Sequence, residues 1–97
     1  MPKYILTRKA TSDLAEIWDY TFARWGLEQA ETYSSAIRAD LSFLLEFPER
    51  RRPCDAIKRG LFKHPSGSHV IFYTVSDENV IVMRVLHQRM DFPRHLR

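Results

Sequence analysis

Cysteine is almost missing from this sequence. Cys54 stands alone, so no disulfide framework can form within the chain. With no second cysteine or nearby histidine beside it, Cys54 reads as a small loop filler and not as a metal ligand or a nucleophile, which would need a base and an orienting group. Glycine is nearly as scarce. Gly26, Gly60 and Gly67 are scattered, which removes any glycine-rich phosphate cradle. Five prolines and three glycines are also too few for a low-complexity chain. Long apolar runs are absent; the longest, Val70 to Val75, suits a strand and not a membrane span. The first residues carry no apolar signal core, and the expectation is a cytoplasmic protein with no membrane contact.

What is present is globular in proportion. Of 97 residues, 44% are hydrophobic, 12% aromatic and 28% charged. A chain of this size forms a single domain, here residues 1–97, with one small core. Charge is uneven. Residues 1–47 hold five Lys/Arg against seven Asp/Glu, a balance of −2, and residues 48–97 hold ten against five, a balance of +5. The basic half calls for an anionic partner, either nucleic acid or an acidic protein segment.

Tyr4-Ile5-Leu6 predicts a first strand, and Thr7 can cap the helix that follows. Ala10, Leu14, Ile17, Trp18, Thr21 and Trp25 share one helical face, with Asp13, Glu16, Asp19 and Arg24 largely outside it. Gly26 ends that helix. A second helix runs from Leu27 to Phe47 on the stripe Ala30, Tyr33, Ile37, Leu41, Leu44 and Leu45, and stops before Pro48. The short joint makes the two helices an antiparallel hairpin. Three strands follow as an antiparallel meander: Ile57–Lys63, Ser68–Val75 and Val80–Leu86, with turns at residues 64–67 and 76–79. The expected fold is α+β, two-layered, in the order β-α-α-β-β-β, with the helical hairpin on an antiparallel sheet.

Chemistry-bearing residues are few. His64, His69, His87 and His95 match no metal spacing, so neither metal nor cofactor is expected. Arg50, Arg51, Arg52, Lys58, Arg59 and Lys63 form a basic set opposed only by Asp55; it reads either as a solvated loop and strand edge or as an anion-binding face. Period two along Ile57–Lys63 would put a cation on both faces. Arg84 interrupts an apolar strand in the parity of Val80, Val82 and Leu86, and needs an acid such as Asp91 or a helix carboxylate. Trp18, Phe22 and Trp25 read as core or hairpin-packing residues.

Taken together, several segments resemble the ParE branch of the RelE/ParE toxin superfamily, over nearly the whole chain. They are Tyr4-x-Leu6-Thr7-x-x-Ala10, Asp13-Leu14-x-x-Ile17-x-x-Tyr20-Thr21, Trp25-Gly26-x-x-Gln29-Ala30 with Tyr33, His69-x-Ile71-Phe72-Tyr73, and Arg84-Val85-Leu86-His87-Gln88-Arg89-Met90-Asp91 with His95-Leu96. The resemblance implies the same fold, a type II toxin that inhibits DNA gyrase without being an enzyme, and a ParD-like antitoxin as partner. It also supplies an alternative, ribosome-dependent mRNA cleavage as in the RelE cousins, for which His87, Arg59 and Arg84 would serve as acid/base and phosphate ligands. No tyrosine stands in the tail where those cousins use one. Direct nucleic-acid binding without the antitoxin is not expected, because no recognition helix or aromatic-interleaved basic strand is present. On the toxin reading, Arg84, His87, Arg89 and Asp91 are the expected target surface. Lys58, Arg59 and Lys63, with the marginal aromatics Phe22 and Phe43, are the expected antitoxin surface.

Overall fold

The computed structural model describes residues 1–96. Arg97, the last residue of the basic tail, lies outside the described residues. The elements are β1 (Tyr4–Leu6), α1 (Arg8–Trp25), α2 (Leu27–Glu46), a 3₁₀ turn at Pro48–Arg50, β2 (Arg52–Pro53), β3 (Phe62–Ser66), β4 (His69–Ser76), β5 (Asn79–His87) and α3 (Phe92–Leu96). The sheet order is β1-β5-β4-β3-β2. The α+β hairpin-on-sheet architecture is the expected one, with one difference in strand direction. β1 pairs parallel to β5, Tyr4 opposite Val80 and Leu6 opposite Val82, so the sheet is mixed.

Local chemistry places the helices. The Thr7 side chain accepts from the Ala10 N–H at 3.1 Å and caps α1. Gly26, at φ +94°, turns the chain between the helices while its N–H donates to the Phe22 carbonyl at 2.9 Å. The two helices lay Ala10, Ile17, Ile37, Leu41 and Leu44 on Ile71, Tyr73, Val80, Val82 and Val85. Trp18 is half-buried and not a member of this core. Phe22 and Trp25, read as core or hairpin-packing residues with Phe22 also placed at the margin for the antitoxin, are 49% and 65% exposed near the hairpin tip.

The first strand of the meander is shifted. Residues 54–61, expected to lead into a strand at Ile57–Lys63, instead close a hydrogen-bonded loop. Cys54 N–H donates to the Leu61 carbonyl at 2.8 Å, and Gly60 N–H donates to Asp55 Oδ1 at 2.9 Å. Lys58 and Arg59 therefore sit in a loop, not on a strand, and the two-faced cation pattern does not arise. The strand proper is Phe62–Ser66, paired to β4 from Phe62 opposite Tyr73 to Ser66 opposite His69. Pro65 lies within it, which an outer strand tolerates: β2 covers only Lys63 and Phe62, so beyond them no neighbour needs the missing N–H. The turn is the two-residue Gly67-Ser68. Arg52–Pro53, part of a segment expected to be irregular, is an exposed edge strand. At the β4–β5 turn, Asp77 and Glu78 both have positive φ, 51° and 65°, the geometry that matches hairpin twist.

A bulge in β5 decides the rest. Phe72 opposes Arg84 while Tyr73 opposes Val82, leaving Met83 unopposed. Beyond it the alternation flips. Val85 joins Ile71 on the helical face; Arg84 turns to the far face with Phe72 and Leu86. The expected parity of Arg84 with Val80 and Val82 is thus overturned. The far face is not bare: Phe72 and Leu86 carry a second cluster with Cys54, Leu61 and Leu96, supplied by the loop and α3.

Candidate functional site

β1 ends at Leu6, so the edge of β5 beyond Val82 has no neighbouring strand. α1 and its cap cover that edge in place of one. Thr7 N–H donates to the Val82 carbonyl at 3.1 Å, and the Thr7 hydroxyl donates to the Met83 carbonyl at 2.9 Å. Nearly two turns on, Asp13 Oδ2 accepts from Val85 N–H at 3.0 Å and from Arg84 Nε at 2.8 Å, while Oδ1 accepts from Arg84 Nη2 at 2.9 Å. The helical stripe places Asp13 outside the core, yet it is 8% exposed. Its acceptor lone pairs are what the orphaned strand edge requires. The acid that pairs Arg84 is therefore this helix carboxylate and not Asp91, which is exposed. That hydrogen-bonded pairing, with the added field of Glu16, holds the Arg84 guanidinium above its ordinary range against the opposing effect of burial. Arg84 Nη1 also donates to the His95 carbonyl at 3.3 Å, tying α3 to the same post.

On one side of this ion pair lies a groove of about 290 Å³, bounded by Asp13, Glu16, Ile17, Tyr20, His69 and His87 among others. The two imidazoles stand edge to face, 5.3 Å between centroids. The bulge brings this about: the register that sets Ser76 opposite Asn79 would carry His69 to Leu86, and the extra residue moves His87 into that place. His87 Nδ1 accepts from Arg89 N–H at 3.2 Å. His69 Nδ1 lies 2.6 Å from the Tyr33 hydroxyl, which accepts from Ser68 N–H at 2.9 Å and has the Ser66 carbonyl at 3.4 Å. Tyr33 packs flush on the turn, and a Cβ on Gly67 would meet its hydroxyl at 2.7 Å. Behind it, the Ser66 hydroxyl donates to Asp40 Oδ2 at 2.5 Å and His64 Nε2 lies 3.5 Å from Asp40 Oδ1. Sequence reasoning missed Tyr33, Ser66 and Asp40 as a network, because nothing local marks residues that meet across a helix and a turn.

Burial lowers the His69 pKa, helped by His87 and partly opposed by Asp13. The neutral ring is the folded form, and unfolding releases it to its ordinary value of about 6.5. The unfolded state then binds the extra proton, so stability is full above that value and falls as pH drops through the lower folded value. An acid-side loss of stability that shrinks in His69→Gln, seen in chemical melts across pH, is the expected result.

On the other side of the ion pair lies a cleft of about 320 Å³, to which α1 and its cap contribute Thr7, Arg8 and Lys9, the loop Lys58, β5 Met83 and Arg84, and α3 His95 and Leu96. The expected target residues divide accordingly. His87 is half-buried at the groove, Arg89 and Asp91 are exposed in the following turn, and Arg84 is fixed by Asp13. The expected antitoxin residues do not form one patch. Lys58 faces the cleft and Lys63 is exposed on β3. Phe43 packs between Phe47 and His64, whereas Phe22 sits near the hairpin tip, roughly 20 Å away along the helix axis at 1.5 Å per residue. Cys54 is buried, and burial pushes its thiol pKa up, which suits a packing residue. Among the described residues, no group of three or more metal-ligating side chains comes together, and no helix is long and apolar enough to cross a membrane.

The family model described as "ParE toxin of type II toxin-antitoxin system, parDE" matches residues 4–92. The chain belongs to that family. Among curated relatives, it is 44% identical over 95 residues to Toxin ParE1 of Mycobacterium tuberculosis, covering 97% of each chain, and 41% identical over 96 residues to Toxin ParE1 of Caulobacter vibrioides, covering 99% of each. Two solved structures share the fold at low identity. One is the chromosomal ParDE system from P. aeruginosa, with a TM-score of 0.76 at 19% identity over 90% of this chain and 95% of that one. The other is the RelBE2 toxin–antitoxin complex of M. tuberculosis, with a TM-score of 0.63 at 22% identity over 91% and 100%. As a family member, the chain is the toxin of a type II toxin–antitoxin system.

Proposed function

We propose that this toxin acts by binding DNA gyrase and is neutralised by a ParD-like antitoxin. One observation carries the choice against RNA cleavage. The groove that holds His87 and His69 is lined by the exposed carboxylate of Glu16 and the Arg84-paired carboxylate of Asp13, and among the described residues by no lysine or arginine. Cleavage by a 2′-hydroxyl needs cations around the crowded phosphate, and carboxylates repel it. The remaining members of the alternative triad do not repair this: Arg84 is engaged by Asp13, and Arg59 is exposed in the loop. His87, Arg89 and Asp91 stay as the proposed target-contacting residues, with Arg84 holding the strand beneath them. The antitoxin is proposed to cover the apolar tip formed by Tyr20, Phe22, Trp25 and Leu27, all more than 45% exposed, and to reach the basic loop.

The test is growth arrest on induction without antitoxin, paired with gyrase supercoiling and ribosome-dependent mRNA cleavage by the purified chain. A binding interface spreads its free energy over several anchors, so His87→Ala should weaken inhibition by less than about 2 kcal/mol. Cleavage of mRNA that His87→Ala slows by about 10²–10⁴-fold, with supercoiling untouched, would replace this reading by the RelE-type one.

A further inference from the structure

The cleft on the Arg84 side of the ion pair has a composition that stability does not account for. Arg8 and Lys9 occupy the first turn of α1, which carries no acid. A helix N-terminus is the positive end of the backbone dipole, where acids are favoured and cations cost stability. Lys58 approaches from the loop to the same cleft, and among the described residues no carboxylate lines it. At its wall the Arg84 guanidinium is held rigid by Asp13 and by the His95 carbonyl, with N–H donors left over. Met83, half-buried, and the largely buried Leu96 give the cleft its apolar lining. No aromatic side chain lines the cleft, so a nucleic-acid base would find no stacking platform.

We infer that this cleft is the docking site for an acidic, apolar segment of the neutralising antitoxin, with carboxylates held by Arg8, Lys9 and Lys58 and an aliphatic side chain seated on Met83 and Leu96. The inference rests on the toxin–antitoxin reading and names one contact within it, distinct from the apolar hairpin tip. Carboxylates placed at the start of α1 would also relieve the unfavourable cations there, so binding and helix stabilisation act together.

The experiment uses the full chain and three probes: a blocked heptapeptide alternating glutamate and leucine, its glutamine counterpart, and a short oligothymidylate. The methyl resonances of Met83 and Leu96 report occupancy by NMR. The glutamate peptide should shift them, with affinity falling as salt rises, and the glutamine peptide should not. Arg8→Glu combined with Lys58→Glu, both exposed positions, should weaken peptide binding by about tenfold or more while leaving the thermal midpoint at or above that of the wild type, since an acid at the start of α1 is favoured. The same double variant should lose affinity for the protein encoded next to the toxin gene. Equal binding of the glutamine peptide, shifts confined to the hairpin tip, or tighter binding of the oligothymidylate would overturn the inference. Neutralisation of wild type and double variant alike by that neighbouring protein would overturn it too, while leaving the toxin reading intact. If the neighbouring protein does not bind the wild type at all, the toxin–antitoxin reading falls instead, and the peptide arm still decides whether the cleft takes carboxylates.

Discussion

Replacing Asp13 by alanine is expected to destabilise the protein by about 3–5 kcal/mol, the range for breaking a buried ion pair from one side. The reason is what remains behind. Arg84 keeps its charge with its side chain only 19% exposed, and Val85 N–H loses its only acceptor at a strand edge that no other strand covers. The compensating substitution separates the two contributions. Asp13→Leu combined with Arg84→Met removes the charge as well as its partner and should recover a good part of the loss, because a buried pair can often be replaced by packed apolar groups at little cost. The Val85 N–H would still be orphaned, so recovery should be incomplete by about 1–3 kcal/mol. Urea melts of the three variants check this. A single variant as stable as wild type would mean that water replaces the carboxylate and that the edge is not sealed by α1.

Most of the fold was written in local chemistry, which is why it could be read from the sequence. Thr7 offers a capping oxygen, Gly26 a permissive backbone, and Pro48 a missing donor; each acts within one turn of its own position. The helical stripes and the β-branched runs state which face is buried. What escaped reading depends on pairings distant in sequence. Asp13 and Arg84 are 71 residues apart, and nothing near Asp13 shows that a helix-face acid will meet an unpaired strand edge. The bulge at Met83 has no marker in Val82-Met83-Arg84, yet it reverses the side on which Arg84 lies and sets His69 opposite His87. Pro65 misled in the other direction: proline signals a turn unless the strand lies at an edge, and whether it does is a property of the whole sheet. The end of β5 stood out in the sequence because polar residues follow an apolar strand. Its division into an acid-lined groove and a cation-lined cleft on either side of one ion pair was not.

The far face of the sheet supplies the second large effect. Phe72→Ala is expected to cost about 3–5 kcal/mol, the usual range for emptying a buried phenylalanine site. Phe72 is fully buried and meets the Phe92 ring edge to face at 4.9 Å, between the closed loop carrying Leu61 and the short helix α3. A five-residue helix is too short to persist alone, so its order derives from this packing and from the Arg84–His95 tie. Removing the ring should therefore weaken α3 more than the hairpin layer. Amide exchange near residues 92–96 should accelerate beyond what the change in global stability accounts for, while the amides of α2 follow global stability alone. The contrast with Asp13→Ala is informative, since that variant attacks α3 only through its electrostatic tie and keeps the apolar cluster. If Phe72→Ala left both the melt and the α3 amides unchanged, the far-face cluster would be incidental to the fold. The second layer of packing would then reduce to the helical side alone, and the position of Leu96 beside the cationic cleft would need another support.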